Sequence, residues 1–228
     1  MTGTENIKKL GFGLMRLPRK NDVIDIEETK AMVDAFLAAG FTYFDTAFVY
    51  GGSEDAIRQA LVERYPREKF QVTSKMPLWG KTDPAELQKI FDEQLRKCNV
   101  DHFDYYFLHA LNKDVFKTAE NLKAFEWMQE MKKQGKILHP GFSFHDSADV
   151  LEEIITAHPE VELVQLQINY IDWESDNVQS RKCYEICCKH NIPVSIMEPI
   201  KGGSLANIMD DAKKIFTDYD ANASMASW

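Results

Sequence analysis

The sequence lacks the features that would place it in a membrane, on nucleic acid or around a metal ion. No apolar run is long enough to span a bilayer. The opening MTGTENIKKLGFG has no apolar core of the kind a signal peptide needs. Positive charge is the scarcer sign: 27 Lys and Arg stand against 36 Asp and Glu, a formal net charge of −9. That balance argues against nucleic acid or an anionic membrane as the main partner and leaves only a local basic pocket for phosphate. Cysteine is sparse, at four residues of 228. Cys98, Cys183, Cys187 and Cys188 fall in stretches of helical pattern with no Cys-x-x-Cys pair. Cys183 and Cys187 sit one helical turn apart, but His190 is the only other ligand type nearby, too few for a metal site. Free thiols without an export signal point to a reducing, cytoplasmic setting. Gly11 and Gly13 have no third glycine opening a helix behind them, so they form no dinucleotide fingerprint. His-x-His pairs and clustered carboxylates are missing from the strand ends, which disfavours metal-assisted hydrolysis. His145, His158 and His190 read as helix-cap or surface residues.

Hydrophobic residues make up 44% of the chain and charged residues 28%, the balance of a globular protein. The length suits one large domain over 1–228. Apolar strand-like runs alternate with helical patterns about six times. The strands are Phe41–Phe44, Phe70–Ser74, Asp104–Leu108, Lys136–Phe144, Leu163–Ile168 and Pro193–Met197. Their near-continuous apolar character predicts parallel strands buried on both faces. Pro140 inside the fourth predicts a bulge or a poorly paired residue there. Lys8–Pro18 reads as a short β-hairpin or an apolar plug. Helices are expected at about Ile26–Ala39, Ser53–Tyr65 with Ser53 as cap, Asp83–Cys98, Ala119–Gln134, and from Asp146 or Ser147.

A doubly wound sheet and a (β/α)₈ barrel both fit this alternation. Position favours the barrel. Asp45, Lys75, His109, Ser143, Gln165 and Met197-Glu198 fall at or near the carboxyl ends of successive strands, and a barrel brings those ends to one rim. Taken singly, each residue suits an ordinary role: a buried Asp–Lys pair, a tyrosine and a histidine satisfying local hydrogen bonds. Together they favour a site. Asp45 and Lys75 can pair, and Tyr50 can lie against the ammonium, which would make its phenol the more acidic. His109 can orient a carbonyl oxygen. These parts suit protonation of a carbonyl that is receiving hydride from a cofactor.

The stretches GFGLMRLP, FDTAFVYGGSE, VTSKMP, YYFLHA, GFSFH and MEPIKGG, spread over nearly the whole chain, resemble the aldo-keto reductases and most closely a bacterial branch of them. The family pattern Asp-x-Ala-x-x-Tyr, then Lys and His at later strand ends, matches Asp45, Tyr50, Lys75 and His109 in order and spacing. The resemblance implies reduction of aldehydes and ketones with NADPH, less often NADH. Tyr50 would be the proton donor, Lys75 and Asp45 its tuning pair, and His109 the carbonyl-positioning residue. Ser143 and Gln165 would hold the nicotinamide carboxamide, with Asn169, Met197, Glu198 and Pro199 along the same cofactor wall. Met197 stands where many members stack a tyrosine, and Phe144 where many carry an asparagine. Phe48, Trp79 and Phe144 suggest an apolar substrate pocket.

A barrel of this kind typically has about 250 residues or more. The count here is about six of eight barrel strands plus the N-terminal hairpin. The end of the chain, Ala223–Trp228, reads as the start of a helix cut short. The segment expected to choose between NADPH and NADH is therefore absent, as is the iron–sulfur cysteine region that members of this branch often carry. Two open sheet edges would invite self-association, and a weakly active or inactive binding protein on the same fold is the alternative reading.

Overall fold

The computed structural model describes residues 8–225. Seven parallel strands form one curled sheet in the order β1 (Gly11–Gly13), β4 (Tyr43–Asp45), β5 (Gln71–Met76), β6 (Phe103–Leu111), β7 (Ile137–Phe144), β8 (Leu163–Gln167) and β9 (Val194–Met197). The strand count corrects the sequence reading from six to seven. Gly11-Phe12-Gly13 is not half of a hairpin: it pairs in parallel with Tyr43-Phe44-Asp45 as an edge strand. Glycine permits this pairing, because a Cβ on Gly11 would lie 2.8 Å from the Tyr43 ring. The hairpin exists a few residues later, between β2 (Arg19–Lys20) and β3 (Val23–Ile24). Asn21 and Asp22 turn it with φ of 50° and 62°, the double left-handed turn that Asn and Asp tolerate.

Side chains alternate across the sheet. One face carries Phe44, Val72, Tyr106, Leu108, Phe142 and Val164 into the main core under the helices. The concave face carries a smaller cluster of Tyr43, Tyr105, Phe107 and Leu163. Asp45, Lys75, His109, Ser143, Gln165 and Met197 share the parity of that concave set. Period-two alternation in parallel register thus delivers six candidate residues to the concave face of the sheet.

The helices are α1 (Ile26–Ala38), α2 (Ser53–Ile57), α3 (Ala85–Cys98), α4 (Lys113–Asn121), α5 (Ala124–Lys133), α6 (Ala148–Ala157), α7 (Ser180–Lys189) and α8 (Asp210–Tyr219). The helix expected at Ala119–Gln134 is therefore two helices. They are separated by Leu122 and by Lys123, whose φ of 52° interrupts the helical hydrogen-bond ladder. The helix expected from Ser53 to Tyr65 is α2 followed by a π-helical turn, Arg58–Val62. Its N-cap is Gly52, at φ 82°, rather than Ser53. The irregularity expected at Pro140 is absent there, since Pro140 pairs with Tyr106. The register shifts instead between Leu108 and Leu111, where Ala110 has a φ of 54°. All four cysteines are free thiols. The helical start expected at Ala223–Trp228 lies partly outside the described residues. Among those described, no helix is long and apolar enough to cross a membrane.

β1 and β9 are the open edges of the sheet. The four residues of β9 are half-buried or exposed, whereas β5 through β8 are almost wholly buried. Gly141 in β7 leaves no room for a side chain. A Cβ there would meet the Leu163 carbonyl at 2.2 Å and the Phe107 ring at 2.9 Å. Both contacts sit in the sheet interior and cannot swing aside, so Gly141→Ala is expected to cost about 3 kcal/mol of folding stability or more. Urea denaturation of the variant beside the parent checks this.

Candidate active site

Lys75 is the centre of the site. It is the penultimate residue of β5 and its side chain is fully buried. An ammonium there requires compensation. Its Nζ donates to Asp45 Oδ1 in a short ion pair and to the Thr46 carbonyl at 2.8 Å. Tyr50, on the loop after β4, places its ring centroid 5.0 Å from Nζ. The Tyr50 and His109 rings meet edge to face at 5.7 Å. The ring of Trp79, half exposed, lies 5.4 Å from that of His109. The four residues named from the sequence are thus contiguous on one rim.

The electrostatics differ from expectation at Tyr50. Lys75 does pull the phenol pKa down, but burial pushes it up by more and Asp45 adds to the rise, so it stands above its ordinary value of 10. His109 is pushed down to about 3, by burial first and then by the charges of Lys75 and His145. It is therefore a neutral imidazole near pH 7, and its buried Nδ1 has no hydrogen-bond partner.

The next residues around the rim form a polar wall. Gln165 Nε2 donates to Asp45 Oδ2 at 3.1 Å and approaches Ser195 Oγ at 3.5 Å. Ser143 Oγ accepts from the Ala110 N–H at 2.7 Å, steadying the left-handed residue next to His109. Its own hydroxyl proton remains available to donate. Asn169 faces its own loop. Its Nδ2 donates to Asp172 Oδ2 (2.8 Å) and the Glu198 carbonyl (3.2 Å), while its Oδ1 accepts from the N–H groups of Ile171 and Asp172. Asp172 is also held by Lys201 Nζ at 2.6 and 2.7 Å. Met197 is half-buried at the end of β9, in register with Gln167. Glu198 has a φ of 56° and pairs with Arg16 at 3.0 Å, and Pro199 is exposed. Two aromatics expected at the pocket lie elsewhere: Phe48 packs beneath Lys97 Nζ at 4.6 Å, and Phe144 is buried in the main core.

Sequence reading missed several contributors. Thr46 meets Lys75 through its backbone carbonyl, a contact that its identity does not signal. Gln94 lies on α3 and Glu54 in the first turn of α2, where an acid is ordinary, yet both are buried behind Lys75. No group of three or more metal-ligating side chains occurs among the described residues.

Comparison with known proteins agrees with this architecture. The model of the Aldo/keto reductase family matches residues 9–225, and the chain belongs to that family. Among curated relatives, a probable aldo-keto reductase 1 from Glycine max is 27% identical over 183 residues, covering 75% of this chain and 50% of the relative. A 9,11-endoperoxide prostaglandin H2 reductase from Trypanosoma cruzi is 28% identical over 203 residues, covering 88% and 65%. The chain thus spans between half and two thirds of the length of these relatives. An aldo-keto reductase from Klebsiella pneumoniae solved in complex with NADPH superposes with a TM-score of 0.74 at 21% identity, over 96% of this chain and 74% of the other. A thermostable aldo-keto reductase bound to the inhibitor epalrestat gives 0.76 at 23%, over 96% and 78%.

The histidine makes folding stability depend on pH. Between its unfolded value of 6.5 and its folded value of about 3, the unfolded chain binds a proton that the folded chain refuses. The contribution is fully present above pH 6.5 and is lost as pH falls toward 3. His109→Gln is expected to lose less stability than the parent on acidification from about pH 7 to about pH 4, measured by urea midpoints at the two pH values.

Proposed function

We propose that this chain carries the active site of a carbonyl reductase that takes hydride from a nicotinamide cofactor, with Tyr50 as proton donor. The observation that carries the reading is the contiguous set Asp45, Lys75, Tyr50 and His109 on one rim of a parallel barrel-type sheet.

The residues present suit a nicotinamide carboxamide. That group offers one carbonyl acceptor and two N–H donors. Ser143 can donate its hydroxyl proton and Gln165 can accept through Oε1 while its Nε2 stays on Asp45. Met197, Glu198 and Pro199 would border the same side, with Asn169 shaping their loop through the Glu198 carbonyl. When bound, the cofactor supplies the hydride that reduces the carbonyl carbon.

The chain's own residues act on the oxygen. His109, neutral, donates a hydrogen bond that orients the substrate carbonyl without competing for the proton. Tyr50 delivers its phenolic proton to the oxygen as negative charge builds there. Lys75 stabilises the phenolate left behind, and its charge is the largest influence acting to ease that loss, with Arg16 adding a smaller one. Asp45 pairs with the Lys75 ammonium and aims it. Trp79 forms an aromatic wall beside His109 against which an apolar substrate can lie. NADPH is the expected cofactor, with NADH the alternative.

Tyr50→Phe removes the proton while keeping the ring. Turnover with an aldehyde is expected to fall by about a thousandfold, while NADPH affinity, read by fluorescence titration, stays within about twofold. A variant that kept most of its turnover would rule out Tyr50 as the donor. Absence of saturable binding by either nucleotide to the parent chain would count against the cofactor assignment.

A further inference from the structure

Behind Lys75, on the helix-covered face of the sheet, lies a second polar assembly that the proposed chemistry does not use. Glu54 is the second residue of α2 and is 3% exposed. Its Oε1 accepts from Ser74 Oγ at 2.8 Å and from Gln94 Nε2 at 2.7 Å. Gln94 Nε2 also lies 2.7 Å from Ser74 Oγ and 3.2 Å from the Lys75 carbonyl. The Tyr106 hydroxyl donates to Gln94 Oε1. Ser74, Gln94 and Tyr106 are fully buried. A buried carboxyl with no cation bonded to it is costly to keep, so its retention calls for a reason beyond packing.

The connectivity supplies one. Starting from Lys75, Nζ holds the Thr46 carbonyl. Thr46 Oγ1 bonds Ser53 Oγ at 2.5 Å. The Ser53 N–H holds the Tyr50 carbonyl at 2.7 Å. The next residue, Glu54, returns through Ser74 and Gln94 to the backbone of Lys75. The circuit is closed, and it spans the loop that carries Tyr50 and the strand that carries Lys75. We propose that Glu54 is a positioning residue that fixes the tyrosine loop against the lysine strand, and so sets the separation between Tyr50 and Lys75. This rests on the reading of those two residues as proton donor and tuning cation. Glu54 itself touches neither substrate nor cofactor.

A role confined to packing would lower the melting temperature and leave the surroundings of Tyr50 alone. The test reads those surroundings directly, in the chain as it stands. With 3-fluorotyrosine incorporated throughout, the ¹⁹F signal of residue 50, assigned by its loss in Tyr50→Phe, is titrated in the parent, Glu54→Ala and Glu54→Gln. Burial is the largest cause holding the Tyr50 phenol up. A freed loop in Glu54→Ala should therefore move its midpoint down by about half a pH unit or more. Aldehyde turnover should fall about tenfold or more with KM within about twofold, since misplacement acts on the reacting geometry. Glu54→Gln retains a carbonyl acceptor for Ser74 and Gln94 and should restore both readouts to within about threefold of the parent.

A folded Glu54→Ala chain with an unmoved midpoint overturns the proposal, as does a Glu54→Gln chain as impaired as the alanine variant. Should Glu54→Ala fail to fold, Ser74→Ala removes one bond of the circuit and is read in the same way: a shifted midpoint supports the proposal and an unmoved one overturns it. Full turnover in Tyr50→Phe would remove the catalytic reading, while the midpoint would still decide whether Glu54 governs the placement of residue 50.

Discussion

The burial of one ammonium group organises this structure. Lys75 Nζ sits at the end of a central strand on a side chain wholly buried from solvent, and such a group persists only if anions and carbonyls surround it. Asp45 and the Thr46 carbonyl meet that need, and both come from the end of the neighbouring strand. Removing one partner of a buried pair typically costs about 3–5 kcal/mol, a large part of the roughly 5–15 kcal/mol by which a domain is stable. The carboxyl ends of β4 and β5 are therefore tied together by stability and chemistry at once. The same constraint holds Thr46 where its hydroxyl can reach Ser53, and so sets the start of the helix that follows Tyr50.

That ion pair also explains the electrostatic pattern around it. His109 is buried and lies beside a fixed positive charge, so a second positive charge there is suppressed and the imidazole stays neutral. Tyr50 is under opposed influences: the ammonium favours phenolate, while desolvation and the Asp45 carboxylate favour phenol. The phenol wins. A proton donor has to hold its proton until the acceptor oxygen gains charge, so a raised phenol pKa is compatible with the role. The expectation of a more acidic tyrosine counted the lysine and omitted both its counterion and the burial they share.

Legibility in the sequence followed the type of signal. The strand ends were readable because parallel strands buried on both faces are near-continuously apolar, and a charged residue closing such a run stands out, as Asp45 and Lys75 do. The edge strand β1 was not, because three residues, two of them glycine, leave no periodicity to detect, and its pairing depends on what Gly11 allows against Tyr43. Gln94 and Glu54 were invisible for a different reason. On a helix, a Gln or Glu among apolar neighbours reads as the solvent side of an amphipathic pattern, and only the packing of α2 and α3 against β5 turns these two inward. Phe48 and Phe144 failed as pocket residues because an aromatic near a strand end can face either layer, and hydrophobicity does not say which.

The curl of the sheet completes the site. β1 and β9 are its outermost strands, yet the loops that follow them meet: Arg16 pairs with Glu198 across a sequence separation of 182 residues, and Gly202 packs near the same guanidinium. Arg16 is more than half exposed, so this bond is worth at most about 1 kcal/mol and cannot be what draws the edges together. The twist inherent in seven parallel strands does that, and the ion pair follows from it. The polar wall of Ser143, Gln165 and the loop after β9 therefore faces Asp45 and Lys75 because of backbone geometry. Along most of that wall the side chains have only to supply the right donors and acceptors at positions the strands already fix. The Tyr50 loop has no ladder of its own, which is why side-chain bonds accumulate behind it.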